Sequence, residues 1–353
     1  MSEVSEEIGI KEIAELAGVS IGTVDRVIHE RAGVSEKTAA IIHSVIKKTG
    51  YKKNNAASRL KLARSKTIRI AVLLPIEARL SDNYWNLPYS GIHKAVEELK
   101  DFGITYSLET FKMSNEKTFV SQTNAIFDFY FDAIITVPYF FNQSKDLLKK
   151  ASEKKIKVVF IDTHHDFKEP YFAIYQDSLK SGAVAARLLH NVVGDTGNYL
   201  IVSLMNNMGI IQSNIKKREF AFRSFLENHI GSLNNSVHSV VSTSKDLSVV
   251  RNKLIALLDL KKKVGLYVTN SRVYLLPKVL KDLNTSQLTI IGYDLNEKNK
   301  KLLEENKIHF LINQQPERQG YEAAKGIFKF LTEGDSSALN LTIPVEIIVK
   351  ENL

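Results

Sequence analysis

The chain has 353 residues, 44% hydrophobic and 25% charged, a composition typical of globular proteins and a length too great for one ordinary core. It has no cysteine, which excludes disulfides, thiol catalysis and cysteine-ligated zinc, and its formal charge of +9 is moderate, so the placement of charge matters more than its size. No apolar run is long enough to span a bilayer, and Met1 to Gly9 is acidic and polar rather than an export signal, so a cytoplasmic location without a membrane partner is expected.

The stretch IKEIAELAGVSIGTVDRVI, from Ile10 to Ile28, predicts two short helices broken by a turn at Gly18. Glycine there can adopt positive φ without the penalty of a β-carbon, and Ser20 is placed to cap the second helix. Ala14 sits where the helices would cross. Ile10, Ile13 and Leu16 supply the inner face of the first helix, Val24 and Val27 that of the second, and Val19 fills the corner. The pattern is that of a helix-turn-helix, whose second helix brings Ser20, Ile21, Gly22, Thr23, Asp25, Arg26 and His29 toward a DNA major groove. An ordinary helical hairpin is the bland alternative, but it does not require this combination of small residue, turn glycine, cap and buried valines.

Ser35 can cap a third helix running through Lys48, with Ile41, Ile42, Val45 and Ile46 as its apolar face and Gly50 as its end, so residues 1–50 form an all-α headpiece. Residues 51–66 are a hinge. From Lys47 to Lys66 eight basic residues occur with no Asp or Glu among them, a footprint for phosphates when it lies beside a DNA-binding motif. The apolar residues there, Ala56, Ala57, Leu60, Leu62 and Ala63, suit a short helix that orders against a partner chain or DNA.

From Ile68 onward β-rich runs begin at residues 68, 104, 132, 157, 172, 198, 237, 264, 288 and 308, alternating with amphipathic stretches such as Pro88 to Phe102, Asn115 to Tyr130, Leu179 to Val193, Ile211 to His229 and Arg272 to Leu283. Strand–helix alternation implies parallel sheets covered by helices, and this many strands implies two doubly wound sheets. Their ligands lie beyond the strand C-terminal ends. No phosphate-cradling glycine loop or nucleophile elbow is present, and the adjacent His164, His165 and Asp166 lack a further ligand set at metal-binding spacing, so neither an enzyme nor a metal or other cofactor is expected.

With headpiece, basic hinge and double α/β region in place, the sequence resembles the lactose-repressor (LacI/GalR) family of bacterial transcription factors over nearly its full length. GIKEIAELAGVSIGTVDRV and GYKKNNAASRL carry the resemblance at the front, and GYD at 292 to 294 and INQQPERQG at 312 to 320 carry it toward the end. It implies a periplasmic-binding-protein-like (type I) sensor over residues 67–353, its N-subdomain about 67–177 and 310–336 and its C-subdomain about 178–309 and 337–353. It also implies a homodimer, with a tetramer as the larger alternative, that binds a pseudo-palindromic operator. The small-molecule effector would be a sugar, polyol or nucleoside, and the function repression of carbohydrate-utilisation genes.

In that family a hinge leucine enters the minor groove as an apolar wedge; Leu60 matches it, with Ala57 facing its dimer mate and Asn54 at the hinge entry. Lys53, Gly22 and Asp25 depart from the family pattern, so the operator sequence is not transferable. Strand ends supply the effector candidates Asp162, Asn270, Asp294 and Gln314. Arg218 resembles the family's Arg-x-x-Gly-aromatic element, with Ala221 in the glycine position. Carboxylates accept from hydroxyls while a guanidinium donates paired bonds, a chemistry suited to adjacent hydroxyl groups. Tyr84 and Trp85, with Tyr139, offer faces on which a sugar can stack, whereas Asp177 is better placed as a helix cap. A cytoplasmic solute receptor with a vestigial headpiece, acting through protein partners, is the alternative function.

Overall fold

The computed structural model describes residues 9–28, 32–51, 67–81, 83–205, 212–231, 237–244 and 246–353. The chain divides into two compact units, Met1–Ser65 and Lys66–Leu353. His29, Asn54, Ala57 and Leu60, all expected at DNA, lie outside the described residues.

In the first unit α1 (Ile10–Ala17), α2 (Ile21–Ile28) and α3 (Glu36–Thr49) enclose Ile13, Ala14, Val24, Val27 and Ile42. Burying the valine and isoleucine side chains among these contributes about 1.5–3 kcal/mol each, enough to hold helices too short to persist alone. Gly18 takes φ 65° and its N–H reaches the end of α1, while Ser20 Oγ accepts from the Thr23 N–H at 3.1 Å. Ser35 caps α3 by accepting from the Thr38 N–H, and Gly50 ends it in the left-handed region. Two expected core residues are outside. Leu16 is 62% exposed and Ile41 45%, because the buried stripe of α1 runs through Ile10, Ile13, Ala14 and Ala17, and α3 turns Ile42 inward instead.

The second unit contains two sheets. Strands β1 (Ile68–Pro75), β2 (Ile104–Phe111), β3 (Ala133–Thr136), β4 (Lys157–Asp162) and β5 (Phe172–Gln176) alternate with α4 (Asn86–Leu99), α5 (Glu116–Phe127) and α6 (Phe141–Glu153). Beyond α7 (Ser178–Val193) come β6 (Asn198–Met205), α8 (Ser213–Ile230), β7 (Val237–Thr243), α9 (Leu247–Ile255), β8 (Val264–Val268), α10 (Leu276–Val279), β9 (Leu288–Tyr293), α11 (Glu297–Glu304) and β10 (Phe310–Asn313). α12 (Pro316–Glu333), β11 (Asn340–Ile343) and β12 (Glu346–Ile348) complete the fold. Among the described residues the sheets run β11-β5-β4-β3-β1-β2 and β12-β10-β9-β8-β6-β7, parallel throughout except where β12 meets β10. Strands such as β6 are buried along their whole length, as expected when helices cover both faces.

The strand pairing corrects the expected subdomain boundaries. Residues 310–313 extend the second sheet through β9 rather than joining the first, and residues 340–343 pair with β5 in the first sheet rather than the second. Only β12 from the C-terminal stretch pairs with the second sheet. The chain therefore crosses between subdomains after β5, after β10 and after β11. The buried amide of Gln176, on the first crossing, donates to the carbonyls of Asn313 at 2.9 Å and Pro344 at 3.1 Å, on the other two.

The helix expected over 272–283 is shorter than its pattern, a 3₁₀ turn at Val273–Leu275 followed by the single turn of α10, because Pro277 has no N–H to continue a longer ladder. No helix among the described residues is long and apolar enough to cross a membrane.

Candidate functional site

On the headpiece, Ser20, Ile21, Gly22 and Arg26 are exposed and Thr23 and Asp25 are half-buried. Ser20 Oγ also lies 2.9 Å from the Thr23 hydroxyl, so both serve the helix start. Arg26 donates to the carbonyl of Ala32 at 3.0 Å. The Asp25 charge is felt by Tyr51, whose phenol is raised first by burial and then by that carboxylate. Asp25 and Arg26 thus contribute to headpiece packing as well as to the outer face of α2, where Ile21 and Gly22 are the residues most open to a ligand.

In the second unit the C-terminal ends of the two sheets face each other across one cavity, and every residue expected at an effector lines it: Tyr84, Trp85, Tyr139, Asp162, Arg218, Asn270, Asp294 and Gln314. The two carboxylates occupy equivalent positions. Asp162 closes β4 and Asp294 follows β9, and both have φ near +70°, at 71° and 68°. Non-glycine residues are held in this region at a cost of about 1–3 kcal/mol, and such positions concentrate at functional sites.

Arg218 joins them. It is 2% exposed and lies on α8, its guanidinium 3.9 Å above the Tyr293 ring. That ring is fixed in turn by Tyr267 at 2.8 Å and Ser181 at 3.1 Å. One terminal nitrogen donates to the Thr269 carbonyl at 2.8 Å and the other to Gln314 Oε1, while Nε has no partner. Gln314 passes the link on, its Nε2 donating to Asp294 at 2.8 Å. On the other wall Tyr84 and Thr163 donate to the two oxygens of Asp162, whose own N–H is held by Gln319 at 2.7 Å.

Burial dominates the electrostatics. It pushes Asp294 up to about 7 against the lowering influence of Arg218 and the Gln314 hydrogen bonds. It raises the Tyr84 phenol well above its ordinary range, and the neighbouring Asp162 and Asp294 add to that, so Tyr84 acts as a donor. For Arg218 burial opposes the charge, but Tyr293, Tyr267, Asp294 and Asp162 more than compensate and keep it cationic. The result is a polar, preorganised cavity with acceptors on both walls and, among its lining residues, the buried Arg218 guanidinium, whose Nε–H has no partner.

Asn270 differs from its neighbours. Its Nδ2 donates to Leu204 O at 2.9 Å and its Oδ1 accepts from the Arg272 N–H, so both ends of its amide already fix the strand-end loop. Asp177 caps α7 through the Leu179 and Lys180 N–H groups, as its position suggests. His164 stacks on Tyr175 at 4.6 Å and His165 meets the Phe141 edge at 5.2 Å, which places both in aromatic packing. Among the described residues no group of three or more His, Asp or Glu side chains is arranged to hold a metal ion.

The cavity also includes Gln212, Asn214, Arg272, Tyr274 and Asn296, which sequence reasoning missed. Two carried a usable signal. Asn214 precedes Arg218 by one helical turn and so shares its face, and Arg272 follows Asn270 directly beyond the end of β8.

Comparison with known proteins agrees with this architecture. Residues 9–54 match the family model for bacterial regulatory proteins of the lacI family, and residues 71–335 match that for a periplasmic binding protein domain. The chain is 27% identical over 205 residues, 57% of its length, to the HTH-type transcriptional regulator RegA of Clostridium saccharobutylicum, and spans about half (54%) of that protein. A protein of Bacteroides fragilis assigned as a LacI transcriptional regulator superposes with a TM-score of 0.73 at 26% identity, covering 81% of this chain and 98% of its own. An ABC transporter solute binding protein of Burkholderia graminis, in complex with D-arabinose, has the same sensor fold, with a TM-score of 0.68 at 16% identity and coverage of 81% and 96%. With a lacI headpiece ahead of a periplasmic binding protein domain that spans most of its length, the chain belongs to the lacI family of bacterial regulatory proteins.

Proposed function

We infer that the protein is a ligand-responsive transcriptional regulator, a repressor of carbohydrate-utilisation genes, that binds a pseudo-palindromic operator as a homodimer and senses a small polyhydroxylated molecule in the Arg218 cavity. The observation that carries this reading is the Arg218 fork between Asp162 and Asp294, with its Nε unpartnered, in a chain that also carries a lacI headpiece. Two carboxylates that accept and one guanidinium that donates match adjacent hydroxyls, and the Trp85 and Tyr84 rings beside them suit the C–H face of a sugar. The D-arabinose of the Burkholderia protein supports a sugar over other polyols.

The free volume of about 90 Å³ is small beside the about 300–1,000 Å³ of ordinary ligand pockets, so a sugar enters by opening of the two subdomains about their crossings. Closure around it then alters the headpiece spacing in the dimer; couplings of this kind are typically about 1–3 kcal/mol. The reading makes the protein a cytoplasmic binder rather than an enzyme.

Two measurements test it. Trp85 is the only tryptophan, so its fluorescence reports ligand at the cavity directly when a panel of pentoses, hexoses, polyols and nucleosides is titrated. A mobility shift on promoter DNA over a range of salt concentrations is expected to show specific, salt-sensitive binding that a positive ligand shifts. Absence of any specific shift would favour the solute receptor, and turnover of the bound ligand would overturn the non-enzymatic reading.

A further inference from the structure

The two acids that line the cavity share a left-handed backbone but differ in what supports it. Asp294 gives its N–H to the Ile312 carbonyl at 3.0 Å, on the neighbouring strand β10. Asp162 gives its N–H to a side chain instead, Gln319 Oε1 at 2.7 Å, from the first turn of α12 and 157 residues further along the chain. The other end of the same amide, Nε2, donates to the Gln314 carbonyl at 2.9 Å. Gln314 is the residue whose own side chain meets Arg218 through Oε1 and Asp294 through Nε2. Gln319 is 1% exposed and is not among the residues that line the cavity.

The orientation of this amide follows from its partners, because a main-chain N–H can only donate and a carbonyl can only accept. Glutamine offers an acceptor and a donor side by side at this reach. Ionised glutamate lacks the donor, methionine lacks the amide altogether, and asparagine is one methylene shorter. The helix that carries Gln319 is also held firmly. A β-carbon on Gly91 of α4 would lie 1.9 Å from the Glu317 carbonyl oxygen, and one on Gly320 would lie 2.0 Å from that of Pro88, so α12 and α4 meet backbone to backbone on either side of residue 319. Because α4 begins directly after Trp85, the same helix contact brings Gln319 to the Asp162 main chain and Tyr84 to its carboxylate.

We propose that Gln319 is a positioning residue of the effector site, which fixes the left-handed turn that presents the Asp162 carboxylate to the ligand and ties that turn to Gln314. This rests on the Arg218 cavity being the effector site. Asp162 ends a strand of the first sheet and Gln314 follows a strand of the second, so the amide joins the acceptors of the two subdomains across the boundary that opens and closes. Without it the buried Asp162 N–H is unpaired. A non-glycine residue released from the left-handed region relaxes toward ordinary backbone, which turns its side chain away from the cavity.

The test uses the full-length protein and Trp85 fluorescence, with D-arabinose, D-ribose, D-glucose and D-galactose as probes, in a double-mutant cycle of Gln319→Met with Asp162→Asn. For the tightest probe, Gln319→Met is expected to weaken binding about tenfold in the parent but about threefold or less in the Asp162→Asn background, because most of its effect runs through that carboxylate. A folded Gln319→Met protein that binds as the parent does, or an equal loss in both backgrounds, would overturn the positioning role while leaving the sugar reading intact. Should Gln319→Met fail to fold, Gln319→Glu carries the test. It keeps the acceptor for the Asp162 N–H but donates to Gln314 only while protonated, so its affinity relative to the parent is expected to fall between pH 6 and pH 8; a constant ratio overturns the role as well. No response of the parent to any of the four sugars would remove the sugar reading itself, a different failure from an additive cycle in a parent that binds.

Discussion

Gln176 donates its side-chain amide to the carbonyl of Asn313 at 2.9 Å, and with its second N–H to Pro344, so one buried residue ties together the three strands that pass between the sensor subdomains. A hinge needs its crossings to move as a set, and this amide couples them. Gln176→Ala leaves two crossing carbonyls without that donor and is expected to lower sensor stability by about 1–3 kcal/mol. It also loosens the relation between subdomains, so that the closed form is less populated and apparent ligand affinity falls in proportion. Denaturant unfolding and Trp85 titration of the same variant check both; parental stability with parental affinity would mean the crossings do not depend on Gln176.

Asp294 makes the sensor sensitive to pH near neutrality. Burial raises this carboxyl to about 7 from an ordinary 3.8, so the folded protein keeps a proton that the unfolded chain releases near pH 4. The contribution of that proton to stability is complete below pH 4 and is lost as pH rises through 7. Asp294→Asn cannot ionise and is therefore expected to be more stable than the parent at pH 8 but not at pH 4. Hydroxyl groups donate better to the ionised acid, so parental sugar affinity should rise between pH 6 and 8 while that of the variant stays flat. Thermal melts at pH 4 and pH 8 with titrations at pH 6 and pH 8 decide the matter, and identical pH profiles would refute the assignment.

Much of this site was legible in the sequence because it is local. A strand followed by an acid, as in VVFID and IIGYD, places the acid at the sheet's C-terminal end whatever the rest of the chain does, and Gly18, Ser35 and Gly50 act through their own turns. What failed was non-local. Whether FLIN joins the first or the second sheet depends on its pairing with β9, and NLTI pairs with a strand more than 160 residues earlier; neither partner is written in the segment itself. Leu16 was misplaced because eight residues define a helical stripe only loosely, and Ala17 rather than Leu16 completes it. Asn270 lines the cavity as its strand-end position suggests, but its amide is spent on the backbone, which only the hydrogen bonds reveal.

Arg218→Ala removes the side chain that donates to the Thr269 carbonyl and Gln314 and whose charge acts on both carboxylates. It leaves the Thr269 carbonyl and Gln314 Oε1 without their donor, at about 1–3 kcal/mol each, and takes a lowering influence from Asp294, so the sensor should be destabilised and the Asp294 carboxyl driven still higher. Effector response should vanish while operator binding by the headpiece survives. Arg218→Lys is not expected to rescue, since a single ammonium lacks the planar fork that reaches Thr269 and Gln314 with separate nitrogens. Loss of operator binding together with effector response would undo the assignment of Arg218 to the sensor.

Gly182 sets the position of Arg218 through the main chain. A β-carbon on Gly182 would lie 2.3 Å from the Arg218 carbonyl oxygen and under 3 Å from its Cα, so α7 and α8 approach as closely as they do only because residue 182 is glycine. Gly182→Ala must push the helices apart. Overpacking of this kind typically costs about 1–3 kcal/mol, and the displacement moves the guanidinium away from Gln314, so ligand affinity should fall by about tenfold or more. The obstructing atom belongs to the backbone, and truncating the Arg218 side chain makes no room for it. In the double variant Gly182→Ala/Arg218→Ala the backbone overpacking should persist, so it should be less stable than Arg218→Ala alone; recovery to the Arg218→Ala value in denaturant unfolding would show that the side chain, not the helix backbone, is what Gly182 accommodates.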